Sequence, residues 1–179
     1  MGYDFARKFW GLSDVHRRLS WDKYREWQES KIHLIQAKMN YDPLLNAVVY
    51  GYLMDFEDLA AWSNQTYGLR VTGKKNDFKY SAEYANQTEY ADQPTDYDAD
   101  YYALELGYNI SSQSTTIGDI SIGYEVLGSD DGKIAFQTPL ATKHKFNGWT
   151  DMFLTTPANG LKDLYITSNF NIFSKGKLG

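Results

Sequence analysis

The chain contains no cysteine, which removes disulfides, zinc–thiolate centres and thiol nucleophiles together. Such a composition suits a reducing cytoplasm and many bacterial envelope proteins alike. Long apolar runs are missing too: no window nears the roughly 18 consecutive apolar residues of a membrane-crossing helix. Insertion as strands stays open, because alternating strands leave no such run. The opening stretch "MGYDFARKFWGLSDV" is charged from Asp4 onward and has no apolar signal core. No secretory signal is therefore expected as written, and an exported protein would begin upstream of Met1. Histidine is sparse, with His16, His33 and His144 set apart from one another and from any H-E-x-x-H arrangement. His144 shares the longest connection with Ser129 and Asp131, but no G-x-S-x-G elbow accompanies them. Neither an enzyme nor a cofactor is expected.

A length of 179 residues suits one domain or a piece of something larger. Aromatics make up 16% of it, tyrosine leading with 15 residues, and the net charge is -5. That charge is unevenly spread: residues 1–38 hold eight Lys or Arg against five Asp or Glu, leaving ten against eighteen for the rest. The basic part mixes Arg17, Arg18 and Arg25 with Trp10, Trp21 and Trp27, a pattern that single-stranded nucleic-acid binders use for stacking. Acidic residues interleave with these, and Ser13 and Ser20 stand as helix N-caps. Residues 1–30 accordingly read as a loop or one or two short helices, with no nucleic-acid partner, and residues 31–179 as a separate β region.

Period two dominates that region. Strands are predicted at 32–39, 47–54, 65–72, 78–85, 101–110, 117–126 and 161–172. The connections alternate short and long: "NYDPLLN", "DFEDLAAWSN", "GKKND", "NQTEYADQPTDYDAD", "SSQSTT", then the long run from Leu127 to Gly160. In an antiparallel meander every second connection lies at the same end, so tight turns gather on one side and long loops on the other. Outer-membrane barrels have this asymmetry. The expected fold is all-β: an antiparallel up-and-down meander of about seven strands, part of a transmembrane β-barrel.

The strand faces divide in the same sense. One parity carries Tyr67, Leu69, Val71, Tyr80, Ala82, Tyr84, Tyr102, Leu104, Leu106, Tyr108, Ile120, Ile122, Tyr124 and Val126. The other carries the polar candidates for a pore lining: Lys38, Arg70, Lys79, Glu83, Glu105, Asp119 and Glu125. Lipid facing the first and water the second would produce this division. A soluble ligand-binding barrel with its apolar face turned inward has the same period. Two features favour lipid. Gly68, Gly107 and Gly123 on the polar parity suit a wall facing a water-filled space, and no helix or second sheet is evident to cover the apolar face.

The acidic stretch "TDYDADYYALELGY" raises a metal reading. Asp96, Asp98 and Asp100 match the first three ligand positions of an EF-hand loop, but Tyr101 and Gly107 stand where its glycine and closing glutamate belong. Asp130 and Asp131 in "GSDDGK" read as a turn, with weak calcium binding as their only metal role. No metal site is expected beyond these weak loop candidates. Sequons begin at Asn64, Asn86 and Asn109 and read as polar strand ends.

Three segments carry a resemblance: "YLMDFEDLAAWSNQTYGLR", "YADQPTDYDADYYALELGY" and "YEVLGSDDGKIAFQTPLATKHKFNGWTDMFLTTPANGLKDLY". Together they resemble the alginate-export-type, porin-like family of proteobacterial outer-membrane barrels, over roughly Tyr50 to Tyr165. The resemblance implies a monomeric, many-stranded channel in the outer membrane, touching its lipid and passing small solutes or an anionic polysaccharide. With about seven strands, the chain would be a C-terminal part of such a barrel. A polyanion channel is expected to be electropositive inside. Here Lys38, Arg70 and Lys79 share their parity with Glu83, Glu105, Asp119 and Glu125. No substrate site carries over residue by residue.

Overall fold

The structure is a computed structural model that describes residues 19–21, 25–27, 30–41, 44–112, 115–139 and 155–170. Two short strands, β1 (Leu19–Trp21) and β2 (Arg25–Trp27), pair antiparallel. Ser20, read as a helix N-cap, therefore lies inside a strand, and Ser13 falls outside the described residues. Alternation of Leu19 and Trp21 about Ser20, then of Arg25 and Trp27 about Glu26, suits an extended backbone and overrides the local helix signal.

The main sheet holds β3 (Ser30–Tyr41), β4 (Leu45–Phe56), β5 (Asn64–Lys75), β6 (Phe78–Glu89), β7 (Asp98–Ser112), β8 (Thr115–Leu127) and β11 (Leu161–Phe170). Each pairs antiparallel with its neighbour in sequence, giving a seven-stranded meander in the order β11-β8-β7-β6-β5-β4-β3. The small hairpin of β9 (Ser129–Asp130) and β10 (Ile134–Ala135) branches off after β8. The sheet does not close: β3 and β11 are its two edges.

All seven predicted strands are present, most of them longer than expected. The predicted five-residue turn "GKKND" shortens to Asn76 and Asp77, because β5 runs through Lys75 and β6 restarts at Phe78. Asn76 takes φ 54°, a left-handed conformation that asparagine tolerates better than most residues. The alternation of connections also holds. Links β3–β4, β5–β6 and β7–β8 are tight, whereas β4–β5 carries a 3-10 helix (Glu57–Trp62), β6–β7 spans residues 90–97, and β8–β11 holds β9 and β10.

Register fixes the two faces. Leu69, Tyr84, Tyr102 and Val126 line up directly across four strands, as do Val71, Ala82, Leu104, Tyr124 and Leu164 across five. On this face large apolar side chains stand exposed, from Ile35 and Val49 through Leu104 and Leu106 to Leu164 and Ile166, the last at 70%. It is the bare face. On the opposite, covered face the packed residues gather at the long-loop end: Tyr50, Tyr52, Met54 and Phe56 of β4, Ala85, Ala99, Tyr101 and Leu127, with Tyr97 and Phe136 laid over them from the loops.

Candidate functional site

The charged candidates meet on the covered face, toward its tight-turn end. Lys38, Val48, Arg70, Glu83, Ala103, Glu125 and Asp163 form one row straight across all seven strands. Ser81, Glu105 and Gly123 are opposite one another in the next row, and Lys79 opposes Lys74 and Gly107. Asp119 lies between Asn109 and Asn169. All seven sequence-derived lining residues thus share one face, because successive side chains of a strand alternate and directly paired residues point the same way.

Each buried charge here has partners. Arg70 Nη1 lies 3.2 Å from Glu83 Oε2, their side chains 15% and 1% exposed, and the Tyr50 hydroxyl donates to Glu83 Oε1 at 2.7 Å. A carboxylate so deep in the sheet is tolerable only with such compensation. Further along, the Tyr101 hydroxyl donates to Glu125 at 2.7 Å, that of Tyr165 to Glu105 at 3.0 Å, and the Asn169 amide to Asp119 at 3.2 Å.

The carboxylates and cations segregate across the strands. On this face β3 to β6 carry Lys38, Arg70, Lys74 and Lys79, with Glu83 paired to Arg70 and Glu89 at the loop end, whereas β7, β8 and β11 carry Glu105, Asp119, Glu125 and Asp163. No Lys or Arg occupies this face on those last three strands. Glu105, Asp119 and Glu125 are held by neutral hydroxyl and amide donors rather than by a cation.

Glycine serves these contacts in a way that differs from the expectation. Gly68 and Gly123 do not open onto free space: the rings of Tyr50 and Tyr165 lie over them, where a Cβ would overlap ring atoms. Each tyrosine pairs with its glycine and crosses it to reach a carboxylate one strand beyond, Tyr50 to Glu83 and Tyr165 to Glu105. The same seating recurs on the bare face, with Tyr67 over Gly51, Tyr80 over Gly73 and Phe170 over Gly118. Gly107 is the exception on the covered face, meeting Ser121, Lys79 and the Ile120 carbonyl at ordinary contact distances. Aromatic cover of strand glycines pins register, which parity alone does not.

The metal candidates scatter. Asp98 and Asp100 belong to β7 rather than a loop, on the bare face at its long-loop rim, where Asn86 donates to both and Tyr84 donates to Asp100 at 2.7 Å. Asp96 is exposed in the connection before them. Asp130 pairs with Lys133 at 3.1 Å in the β9–β10 hairpin, and Asp131 supplies its turn at φ 46°. Among the described residues no three His, Cys, Asp or Glu side chains gather as metal ligands. Ser129 is likewise committed to the turn, donating to the Ala158 carbonyl and accepting from Gly132 N–H. His33 lies in β3, and His16 and His144 fall outside the described residues. The sequon residues Asn64 and Asn109 are buried, and Asn86 is taken up by Asp98 and Asp100.

One arrangement had no sequence signal. After β8 the chain turns back onto the covered face, where Phe136 packs on Tyr101 with ring centres 5.3 Å apart. Gln137 N–H donates to Gln87 Oε1 at 2.8 Å, and Gln87 Nε2 donates to the Gln137 carbonyl at 2.9 Å. Gln87 is fully buried and also donates to Asn64 and Thr66. Nearby, burial and the Glu89 carboxylate hold the Tyr97 hydroxyl above its ordinary pKa range. No family model, curated protein or solved structure matches the chain.

Proposed function

We propose that this chain forms part of the wall of an outer-membrane β-barrel channel, with the bare face toward lipid and the covered face toward the lumen. The observation that carries this reading is the bare face itself. From Tyr102 to Ile110 it stays uncharged for about 27 Å of strand at roughly 3.4 Å per residue, matching a hydrocarbon layer of about 25 Å crossed at a tilt. Charges on this face stand at Asp98 and Asp100 of the same strand toward the loops and, on other strands, at Lys75 in the Tyr108 row and at Lys162 of the edge strand β11 in the Tyr102 row. Tyrosine stands on both sides of the band, Tyr67, Tyr84 and Tyr102 toward the loops and Tyr108 toward the turns, with Tyr124 and Tyr80 in the Leu104 and Leu106 rows between. Phenol rings suit the headgroup level, where one edge is wet and the other apolar.

A soluble barrel would fold its loops and core onto the apolar parity. Here Phe136, Tyr97 and the buried Tyr50 to Phe56 row lie on the other one. The carboxylates of β7, β8 and β11 favour small solutes over a polyanion along this part of the lumen, since a multiply charged anion would meet like charge there.

The absence of cysteine makes a direct test simple. Single cysteines at Leu104 or Ile122 and at Ser81 or Glu105, labelled with an environment-sensitive fluorophore, are compared in lipid vesicles. Blue-shifted emission quenched by nitroxide lipids is expected at the first pair only. Equal quenching at both pairs, or quenching at the second alone, overturns the assignment.

A further inference from the structure

The segment between β8 and residue 139 stands where a long external loop would be expected, yet it is built into the sheet's covered face. Its attachments are of three kinds. Backbone bonds start it: Gly128 N–H donates to the Asp100 carbonyl at 2.7 Å and Phe136 N–H to the Gly128 carbonyl at 2.9 Å. Apolar burial holds its middle, with Ala135 and Phe136 both buried and Phe136 packed in one cluster with Tyr101 and the β4 residues. The buried Gln87 side chain closes it by bonding both backbone groups of Gln137, as a neighbouring strand would. Gln137 in turn donates its side-chain amide to the Thr156 carbonyl at 3.2 Å, tying the returning chain to the same place.

We infer that residues 128–139 form a fixed internal constriction of the channel, latched to the wall by Gln87, which sets the size of solute that passes. This rests on the reading of the covered face as lumen. Whatever is anchored on that face subtracts from the bore at the loop end, and a strap whose backbone groups are bonded to the wall cannot swing aside without breaking both bonds between Gln87 and the Gln137 backbone, the one accepted by Gln87 Oε1 included. The bonds of Gln87 to Asn64 and Thr66 set its amide before the strap arrives, so it acts as a positioning residue. Phe136 supplies the second hold from the strap's own side, on Tyr101 rather than on the Gln87 cluster.

Two variants separate latch from fold: Gln87→Ala removes the wall's hold, and Phe136→Ala leaves every strand of the main sheet unchanged. The first readout is amide exchange of Phe136 and Gln137 in the full chain in lipid. Slow exchange is expected in the parent, with exchange at least about tenfold faster in either variant while β6 and β7 stay protected. The second is vesicle swelling with neutral sugars of increasing size, using the closed channel completed around this wall, where both variants should admit larger sugars than the parent. Fast exchange of the strap in the parent overturns the latch. A released strap with an unchanged size limit overturns the constriction. A parent that supports no swelling at all, despite a protected strap, overturns the channel reading and the constriction with it.

Discussion

The two faces of the sheet use the same backbone for opposite purposes. On the bare face, neighbours across strands are mostly large, apolar and exposed, Val126 being the buried exception. On the covered face the same strands bury Tyr50, Glu83, Gln87 and Glu125 under hydrogen bonds and loop residues, and every buried side-chain polar atom among the described residues has a partner. The difference teaches where specificity resides. One face needs only apolarity to suit its surroundings, while the other needs particular atoms at particular registers.

Closure offers the largest break between the faces. With β3 and β11 both open-edged, the bare face can meet lipid, on the proposed reading, while the covered face encloses nothing, so the 179-residue chain alone should show no steady unit conductance in planar bilayers. Uniform channels from the chain itself would mean that it closes or oligomerises, and would undo the account of its edges. Next in size is a charge placed on either face. Leu104→Arg should weaken folding into bilayers by about 2 to 4 kcal/mol, whereas Ser81→Arg, opposite Glu105, should change it little. Folding titrations in urea with vesicles would measure both, and equal effects would erase the distinction between the faces. The smallest effect separates two glycines of the same face. Gly68→Ala should cost about 1 to 3 kcal/mol by displacing the Tyr50 ring, and Gly107→Ala close to nothing. In a Tyr50→Ala background the Gly68 penalty should vanish, a double-mutant cycle that fails if the glycine matters for backbone flexibility instead.

Much of the sheet is legible in the sequence because period two is a local signal. The pairing of Gln65–Thr72 with Phe78–Ala85, and the common face of Arg70, Lys79, Glu83, Glu105 and Glu125, follow from alternation once the turn between β5 and β6 is placed. The strap was not legible. Gln87 and Gln137 lie fifty residues apart, and nothing in the irregular run around Phe136 marks which wall residue it will meet. The roles of Gly68 and Gly123 were not legible either, since room for a ring and room for water look alike until register sets Tyr50 against Gly68 and Tyr165 against Gly123. At the N-terminus, caps and charges suggested helices where β1 and β2 pair, a case of extended propensity prevailing over isolated capping residues.

On the proposed reading of the sheet as membrane wall, the two-residue link at Asn76 and Asp77 bears on how fast the sheet can insert. A hairpin that must thread its tip through a hydrocarbon layer carries across whatever polar backbone the tip exposes, and here that is little more than two residues. The bulky, hydrogen-bonded segments all lie at the opposite end and can stay behind on the side of entry. Since every strand of the main sheet pairs with its neighbour in sequence, each newly inserted hairpin offers a ready edge to the next, and no distant partner has to be found first. Assembly can therefore proceed as a succession of short, nearly identical crossings, with loop closure adding little to the barrier at each one.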